Sequence, residues 1–536
     1  MLCPGFRTEA GASPSERGAE VSKRQSRNEA GKAIEALQTE RWRKWICGAA
    51  TSRTEGLNGA RKGLKGKASK TGFSWTACGE KTQAERALAV ERKGEARTHS
   101  HRGTETSTTE REPENLAEDK QLMERMCERE NLKRALARVK RNKGSAGVDR
   151  MTVAELPSYL KEHWPVIRER LLAGQYQPQP VRRVEIDKPR GEGKRKLGIP
   201  CVLDRFIQQA LLQVLEPIFE PTFSEFSYGF RPQRSAHQAV ALAQTYLAEG
   251  FLWVVDLDLE KFFDRVNHDI LMSRVAKKVS DKRVLGLIRR YLQAGVLEQG
   301  LVEATHEGTP QGGPLSPLLS NIVLTDLDRA LEQRGHRFVR YADDCNIYVR
   351  SERAGRRVKE SVTRFLHVRL KLKVNEAKSA VAQPWQRKFL GFSFTRTARP
   401  RRSIAPQALA RFKQRVRTLT SRTGGRAIGE TIERLARYLI GWRGYFGFCE
   451  TPSMLRALDG WLRRRLRSLV WKQWKRGRRR YAELHRRGVG RDLAACTAGS
   501  AHGCWRLANS PALACALPNA AFASLGLPCL HVPMSA

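Results

Sequence analysis

The sequence predicts an α+β domain followed by an all-helical domain, and three observations support this. From Leu116 to about residue 400, apolar residues at helical spacing alternate with short strand-like runs. After residue 400 only the helical spacing remains. Before Leu116 the apolar residues are isolated among Lys, Arg, Glu, Gly, Ser and Thr, a composition that is typical of disordered segments.

The charge of the chain indicates a polyanionic partner. Lys and Arg number 98 against 55 Asp and Glu, so the formal net charge is +43 and the isoelectric point is near 10.5. An excess of this size says little about the fold but favours nucleic acid as the partner. The leader, residues 1–115, is therefore expected to be basic and largely disordered. An RNA-binding arm and translated upstream sequence without a role of its own are the other interpretations.

The cysteines and the apolar runs indicate the compartment. The 11 cysteines are scattered without a Cys-x-x-Cys pair, so we expect reduced thiols. The first residues lack the apolar core of a signal peptide, and no apolar run reaches the roughly 18 residues of a membrane span. A soluble, cytoplasmic protein without a membrane partner is the expectation.

The strand-like runs and the helical stripes can be placed individually. The predicted strands are VRRVEI (181–186), FLWVVDLDL (251–259), RFVRYA (337–342) and CNIYV (345–349). One apolar stripe of the helical region is Ile428, Ile432, Leu435, Leu439, Trp442 and Phe446, and the other is Leu455, Leu458, Leu462, Leu466 and Leu469. Stripes of this kind predict helices that bury one face against each other.

Four carboxylates interrupt the apolar strands. Asp343 and Asp344 separate two strands, where they would be ordinary residues of a hairpin turn. Asp256 and Asp258, however, lie within another apolar strand, and buried carboxylates are costly unless they are paired or metal-bound. If the two strands pair, three carboxylates meet, and a divalent cation is needed to hold them. Hard oxygen ligands favour Mg²⁺, and two ions about 3.5–4 Å apart support phosphoryl transfer.

Short motifs around these carboxylates resemble a known family. YADD (341–344) and DLEKFFD (258–264) look like reverse transcriptase signatures. Further blocks follow in the order found in group II intron reverse transcriptase/maturases: NKGSAGVD (142–149), RKLGIPCVLDR (195–205), SYGFRPQRSAHQA (227–239), GTPQGGPLSPLLSN (308–321), LKVNEAKS (372–379), FLGFSF (389–394) and YLIGWRGYF (438–446). The resemblance implies a right-hand polymerase with fingers and an antiparallel palm sheet at 116–400. A helical thumb or maturase domain at 401–490 and a short tail at 491–536 follow.

The resemblance also implies roles for the matching residues. Asp258, Asp343 and Asp344 would be catalytic and would bind two Mg²⁺ ions, whereas Asp264 is interpreted as a local capping or pairing residue. Phe263 would lie beneath the incoming sugar and exclude a 2′-hydroxyl, so dNTPs are expected as substrates. One ring of the adjacent pair Phe262 and Phe263 is expected to be ordinary core.

Other positions would contact the nucleotide or the primer. Lys188 and Arg195 match residues that clamp the triphosphate, and Gln311 and Tyr341 would line the nucleotide pocket. A solvated finger hairpin is the alternative for the two basic residues. Lys378 matches a proton donor to pyrophosphate, although it also fits an ordinary surface lysine. Residues 389–392 resemble the primer grip, or are simply packed.

The thumb carries an unusual density of basic residues. The expected RNA-binding residues are Arg463, Arg464, Arg467, Lys475 and Arg478, with Trp471 and Trp474 between them. Contacts with phosphates would give salt-sensitive binding without base specificity. A solvated helix face is the alternative.

The tail lacks the pattern of a zinc-binding nuclease. Cys496, Cys504, Cys515 and Cys529 do not have finger-like spacing, so a zinc site is not expected. The tail resembles the short ending of one bacterial branch without an HNH endonuclease, which implies that nascent strands at replication forks serve as primers.

The sequence therefore predicts an RNA-directed DNA polymerase that also binds its parent intron RNA and assists splicing and mobility. The expected partners are group II intron RNA, an RNA template with a DNA primer, dNTPs, target DNA and a second copy of the chain. The alternatives are a related reverse transcriptase of a defence or adaptation system, an RNA-binding splicing factor without polymerase activity, and an RNA polymerase.

Overall fold

The structure, a computed structural model, describes residues 121–187, 194–298, 301–303, 307–309, 312–422 and 424–531. The leader expected at 1–115 lies outside the described residues. Within the described part of the chain, no helix is long and apolar enough to cross a membrane.

The first elements build a helical group and a finger hairpin. They are α1 (Leu122–Met126), α2 (Arg129–Asn142), α3 (Leu156–Leu172), β1 (Val181–Asp187), β2 (Lys194–Ile199) and α4 (Val202–Phe219). Strands β1 and β2 pair antiparallel, with Arg182 opposite Ile199 and Asp187 opposite Lys194. A short 3₁₀ helix, Glu220–Thr222, follows α4.

The palm elements follow in the order α5 (Ala236–Ala248), β3 (Trp253–Leu257), α6 (His268–Ala276), α7 (Lys282–Gln293), β4 (Val296–Glu298), β5 (Leu301–Glu303), α8 (Ser316–Gln333), β6 (Arg337–Tyr341), β7 (Asp344–Val349), α9 (Glu352–Leu370) and β8 (Ala380–Ala382). Strands β4 and β5 extend the finger hairpin into a sheet of order β2-β1-β4-β5, in which β1 and β4 are parallel. The palm sheet has the order β6-β7-β3-β8 and is antiparallel throughout.

The two faces of the palm sheet bury different partners because side chains alternate along each strand. Phe338, Cys345 and Ile347 join the large core that contains helices α4, α8 and α9. Val339 and Tyr348 point the other way and join a smaller cluster with α5. The predicted strands over 181–186, 251–259, 337–342 and 345–349 are confirmed at these positions, with β3 shorter than its apolar run.

The remaining elements form a thumb. They are the two-stranded sheet β9 (Phe392–Phe394) and β10 (Arg402–Ile404), then α10 (Pro406–Leu419), α11 (Ile428–Phe446), α12 (Pro452–Gln473), α13 (Gly477–Arg486), α14 (Arg491–Gly499), α15 (Cys504–Leu507), α16 (Pro511–Ala516) and α17 (Asn519–Ser524). Both predicted stripes lie in the thumb core, although Ile428 and Phe446 at the ends of α11 are only partly buried.

The segment after residue 490 is not a separate tail. Leu507, Leu513 and Phe522 are buried in the same apolar cluster as Leu462 and Leu466 of α12. These side chains add to the apolar core that the α12 stripe forms. The thumb therefore extends through the described C-terminal residues instead of ending near 490.

Candidate active site

Pairing of β3 with β7 brings the predicted carboxylates together. Asp256 lies opposite Asn346, and Leu257 lies opposite Cys345. The next pair in this register is Asp258 with Asp344, just beyond the last residue of β3. Because directly opposite residues and residues two apart share one face of a sheet, Asp256, Asp258 and Asp344 all project from the same face.

The turn between β6 and β7 carries Asp343. Tyr341 pairs with Asp344, so Ala342 and Asp343 alone form the connection. Ala342 has a φ of 58°, in the left-handed region that two-residue hairpins require and that non-glycine residues seldom adopt. The adjacent carboxylates thus lie at the tip of a tight hairpin, at the edge where β3 ends.

A glycine outside the hairpin makes this turn possible. A Cβ atom on Gly229 would lie 2.2 Å from the backbone N of Ala342. The backbones touch because the segment before Gly229 runs along β6, where Tyr228 N donates to Arg340 O at 2.9 Å. Gly229 is required here for close approach and not for a positive φ.

The carboxylates interact electrostatically. The Asp344 side chain is exposed to solvent, but nearby protein atoms still remove part of the hydration of its carboxylate. This partial desolvation, together with the charges of Asp343, Asp256 and Asp258, raises the pKa of Asp344 to about 7. The pKa shift is the expected signature of several like charges at one point, and such sites are often functional.

Basic side chains already neutralise two of the carboxylates. Arg387 donates from Nε at 2.9 Å and from Nη2 at 2.6 Å to Oδ2 of Asp256. Desolvation nevertheless raises the pKa of Asp256. Lys378 Nζ lies 3.2 Å from Oδ2 of Asp258, without the geometry of a hydrogen bond. Asp256 accepts two hydrogen bonds from Arg387, whereas Oδ2 of Asp258 accepts none from the described residues, which leaves Asp258, just beyond the end of β3, as the ligand candidate.

The donor set suits a divalent cation, although a closed cluster is absent. Among the described residues, no group of three or more His, Cys, Asp or Glu side chains is arranged to hold a metal ion. Oδ2 of Asp258 is a buried oxygen without a hydrogen bond within the described part of the chain. Carboxylate oxygens that converge from β3 and the hairpin tip are the ligand type that Mg²⁺ prefers. Asp258, Asp343 and Asp344 therefore fit a divalent cation once their side chains rotate to converge on it.

The expected sugar-contacting ring lies beside the carboxylates in the chain. Phe262 and Phe263 belong to a short 3₁₀ helix, Phe262–Asp264, with ring centroids 5.3 Å apart. Phe262 is buried, whereas Phe263 is only partly buried. The prediction that one ring of the pair is ordinary core is confirmed for Phe262. The role of Phe263 stays a prediction.

The nucleotide-binding residues are only partly described. Lys188 and Gln311 lie outside the described residues, and so does the side chain of Arg195, whose backbone belongs to β2. The loop that follows Gln311 does contact β2, because a Cβ atom on Gly312 would lie 2.4 Å from the carbonyl O of Gly198. The finger hairpin and this loop are therefore neighbours.

The other predicted contacts occupy the rim of the site. Tyr341 ends β6 opposite Asp344 and is partly buried against the aromatic cluster of the smaller core. Lys378 is largely exposed apart from its approach to Asp258. Phe389 and Phe392 form a tight turn with reciprocal backbone hydrogen bonds of 2.9 Å, and both rings are buried. Packing therefore accounts for these two rings.

The thumb arginines divide into two groups. Arg464 donates from Nε and Nη2 to the carbonyl O of Trp505, and its guanidinium lies 4.3 Å from the Trp505 ring centroid. Arg467 donates to the carbonyl O of Leu517 at 3.0 Å, and Arg463 contacts Sγ of Cys529 at 3.8 Å. These three arginines face the C-terminal segment.

Lys475 and Arg478 differ from the three arginines of α12. Both are exposed, at the end of α12 and the start of α13. Trp471 and Trp474, expected between the basic residues, are buried in the thumb core, where they lie under Arg480 and Arg487 respectively. Of the five predicted RNA-binding residues, Lys475 and Arg478 at the α12–α13 corner are the two that are exposed and available to a phosphate backbone.

Sequence reasoning did not single out Arg387 or Gly229 for a role at the site. Gly229 lies inside a motif, SYGF, whose glycine marks a close approach of backbones once the partner turn is known. Arg387 has no such signal, because one arginine in a basic stretch does not reveal a carboxylate 131 residues away.

Comparisons with known proteins agree with this architecture. Residues 186–394 match the family described as reverse transcriptase (RNA-dependent DNA polymerase). Residues 409–488 match the group II intron, maturase-specific domain. The first match contains the last two residues of β1 and the whole of β2, β3 and the β6–β7 hairpin, and the second contains α11, α12 and most of α10.

Curated relatives align over part of their length. Protein YkfC of Escherichia coli is 43% identical over 192 residues, which cover 35% of this chain and 50% of that protein. The group II intron-encoded protein LtrA of Lactococcus lactis is 39% identical over 222 residues, which cover 41% of this chain and 36% of LtrA. The chain thus spans half or less of these relatives.

A solved structure, the partial Cas6-RT-Cas1–Cas2 complex, aligns with a TM-score of 0.31 at 23% identity over 46% of this chain and 42% of that one. This likeness is too weak to support an argument. The two domain matches and the relative LtrA, by contrast, together indicate a group II intron-encoded protein with a reverse transcriptase domain. The chain therefore carries a reverse transcriptase domain over residues 186–394, followed by a group II intron maturase-specific domain over residues 409–488.

Proposed function

We propose that this protein is an RNA-directed DNA polymerase that extends a primer along an RNA template, and that it binds group II intron RNA to assist splicing and mobility. The convergence of Asp258 with the Asp343 and Asp344 hairpin, inside a reverse transcriptase domain, is the observation that supports the polymerase activity. The maturase-specific domain supports the binding of intron RNA.

The chain's own residues account for positioning. Asp258, Asp343 and Asp344 would hold two Mg²⁺ ions, which when bound stabilise the attacking and leaving oxygens of nucleotidyl transfer. Lys188, Arg195, Gln311 and Tyr341 would orient the dNTP. Gly312 allows the loop after Gln311 to lie directly against β2, so the finger hairpin and this loop would contribute to one nucleotide site.

The exposed basic residues of the thumb would contact the nucleic-acid backbone. Lys475 and Arg478 lie in a run of exposed basic residues, and neither forms an ion pair with a carboxylate within the described part of the chain. Contacts with phosphates position the RNA without reading its bases. Binding of target DNA and formation of a homodimer stay predictions from the resemblance.

Primer extension tests the polymerase activity. The purified protein is given an RNA template, a DNA primer, dNTPs and Mg²⁺, and we expect extended product that disappears with EDTA. Asp343→Asn should lower the rate by on the order of 10²–10³-fold, because it removes charge aimed at the reacting phosphate. Asp269→Asn is the control, since Asp269 is an exposed carboxylate of α6 that pairs with Arg289.

The same protein preparation also tests the second candidate function, in which the protein assists splicing but does not polymerise. A protein that stimulates splicing of an intron RNA but extends no primer with any divalent cation would be a splicing factor without polymerase activity. Extension by Asp343→Asn at the rate of Asp269→Asn would contradict the assignment of the site.

A further inference from the structure

A buried arginine lies directly behind the hairpin that carries the two carboxylates. Arg340 and Asp328 are both fully buried, Arg340 in β6 and Asp328 in α8. In the register of β6 with β7, Arg340 pairs with Cys345 and Tyr341 pairs with Asp344. Because adjacent residues alternate, Arg340 projects from the face opposite to Asp344 and cannot touch the substrate.

Stability alone does not explain this ion pair. A buried ion pair loses much of its attraction to desolvation, and well-packed apolar residues of similar volume are often at least as stabilising. The geometry here is specific. Nε of Arg340 donates to Oδ1 of Asp328 at 2.7 Å and Nη2 donates to Oδ2 at 2.5 Å, so the guanidinium is held by both carboxylate oxygens.

The remaining donors of Arg340 reach the catalytic turn. Nη1 donates to the carbonyl O of Ala342 and to Oδ1 of Asn321, both at 2.9 Å. Ala342 is the turn residue with positive φ, and its carbonyl belongs to the peptide group that leads into Asp343. Asn321 in turn donates from Nδ2 to the carbonyl O of Gly229 at 2.9 Å.

These bonds connect the hairpin tip to one rigid helix. Asn321 and Asp328 lie on the buried face of α8, about two turns apart. The loop at 312–315, which precedes α8, contacts β2 through Gly312. Helix α8 therefore supports both the carboxylate turn and the loop next to Gln311.

We propose that Arg340 is a positioning residue that, anchored by Asp328 and Asn321, fixes the peptide before Asp343 and so sets the direction of the two hairpin carboxylates. This inference rests on the proposed function for its catalytic consequence. Its structural content, the orientation of the carboxylates toward a divalent cation, can be measured without catalysis.

The experiment replaces the whole ion pair so that no unpaired charge remains. Two double variants are made, Arg340→Met with Asp328→Leu and Arg340→Gln with Asp328→Asn. Neither retains a guanidinium that can reach the carbonyl of Ala342. The matched control is Arg274→Met with Asp326→Leu. Asp326 lies on α8, as Asp328 does, and its Oδ2 is 2.9 Å from Nε of Arg274 on α6, away from the turn.

Each protein is checked for folding by circular dichroism and melting temperature, and Mn²⁺ binding is then measured by electron paramagnetic resonance. Primer extension gives kcat, the KM for dNTP and the Mg²⁺ requirement. We expect the folded Arg340 variants to bind Mn²⁺ at least about 10-fold more weakly, and kcat to fall by about 10–100-fold while KM for dNTP changes little, since small displacements of reacting groups have effects of this size. The control should match the wild type.

The outcomes are distinguishable. A folded Arg340 variant with the Mn²⁺ affinity and kcat of the control would overturn the assignment of Arg340. If the wild type binds Mn²⁺ but extends no primer, the proposed polymerase activity fails and the Mn²⁺ arm still decides the role of Arg340. If both Arg340 variants fail to fold while the control folds, the pair is needed for stability and the positioning role is rejected. Wild-type protein that neither binds Mn²⁺ nor extends a primer removes both proposals.

Discussion

At the scale of single residues, the site depends on backbone approaches as much as on its acidic groups. Two adjacent Asp residues acquire defined carboxylate directions only when the hairpin turn, Ala342 and Asp343, adopts one conformation. That conformation places Ala342 in the left-handed region and brings its backbone against Gly229. A residue with no functional group therefore limits the geometry of the carboxylates.

Gly229→Ala should damage the site without removing any charged group. The added Cβ would lie 2.2 Å from Ala342 N and 2.9 Å from Ala342 Cα, so backbone must move. We expect primer extension to fall by on the order of 10²-fold, because a shift of about 1 Å at reacting groups has this effect. Steady-state kinetics on the purified variant measures it.

Gly460→Ala is the control for that change. Gly460 lies in α12, and a Cβ atom there meets no atom within 4 Å. The helix should gain up to about 1 kcal/mol of stability from the better helix former, with activity unchanged. Equal activities of the two alanine variants would refute the role given to Gly229.

Phe263 allows a second residue-scale prediction, which concerns sugar choice. Its partly buried ring lies in the 3₁₀ helix Phe262–Asp264, five residues after Asp258. Phe263→Val opens space for a 2′-hydroxyl, so incorporation of rNTP relative to dNTP should rise by at least about 10-fold. Competition between labelled dNTP and rNTP in primer extension measures this ratio.

Phe262→Val supplies the comparison. Phe262 is buried in the main core, so its truncation should lower the melting temperature while leaving the sugar preference unchanged. A Phe263→Val protein that still rejects rNTP as well as the wild type would show that the ring does not contact the sugar.

At the scale of elements, helix α12 has two surfaces with different tasks. Its leucine stripe packs against the thumb core, and Arg464 and Arg467 bind carbonyl groups of the C-terminal segment. Desolvation by burial lowers the pKa of Arg467, although the group stays charged near neutral pH. Lys472, near the end of this helix, and Lys475 and Arg478, beyond it, are exposed to solvent.

Alanine variants should separate these two surfaces. Arg464→Ala or Arg467→Ala leaves carbonyl groups of the C-terminal segment without donors, so each should lower the free energy of unfolding by about 1–2 kcal/mol. Lys475→Ala or Arg478→Ala should leave stability unchanged and weaken RNA binding. Denaturant unfolding and filter binding at several salt concentrations measure the two effects.

The salt dependence provides the discriminating result. Loss of a phosphate contact should make the slope of log K against log[salt] shallower by about one unit or less. If Arg464→Ala changed this slope while stability stayed constant, the arginine would contact RNA instead of holding the C-terminal segment.

At the scale of the whole molecule, a polar and aromatic junction joins the palm to the thumb. Arg402 pairs with Glu450 at 2.7 Å and donates to Gln244 Oε1 at 2.6 Å. His237 of α5 stacks on Tyr445 and Phe448, with ring centroids 5.1 and 4.5 Å away. These contacts come from α5 of the palm and from β10, α11 and the loop that follows α11 in the thumb.

The junction should weaken at acidic pH. His237 is partly desolvated, which lowers its pKa from the usual 6.5, while its Nε2 lies 2.8 Å from the carbonyl O of Tyr445. Below about pH 6.5 the unfolded chain then binds more protons at this group than the folded chain does, so folding stability is complete above this pH and is lost as pH falls. Thermal unfolding at pH 7.5 and 5.5 measures the loss.

Comparison with variants isolates this one histidine from the other titrating groups. His237→Gln should reduce the difference in melting temperature between the two pH values by about 1–2 °C. His502→Gln changes an exposed histidine of the thumb and should leave the difference unchanged. An unaltered pH dependence in His237→Gln would exclude His237 as the source.

The sequence by itself determined the strands that carry the carboxylates, the two leucine-rich helices of the thumb and the order of the domains. These features follow from local periodicity and from motifs, which need no knowledge of distant residues. It also predicted that Asp258 would meet the Asp343 and Asp344 pair if their strands paired, with a divalent cation to hold the buried carboxylates.

Only the tertiary structure decided which charged side chains are already bound to another group of the protein. Asp256 is neutralised by Arg387, and Arg464 and Arg467 hold the C-terminal segment. Arg340 donates to the carbonyl O of Ala342, in the hairpin turn, from the hidden face of the sheet. Each of these contacts joins elements far apart in the chain, and a charged side chain looks the same in sequence whether it faces solvent or a buried partner. The three-dimensional packing of the elements is what distinguishes the two cases.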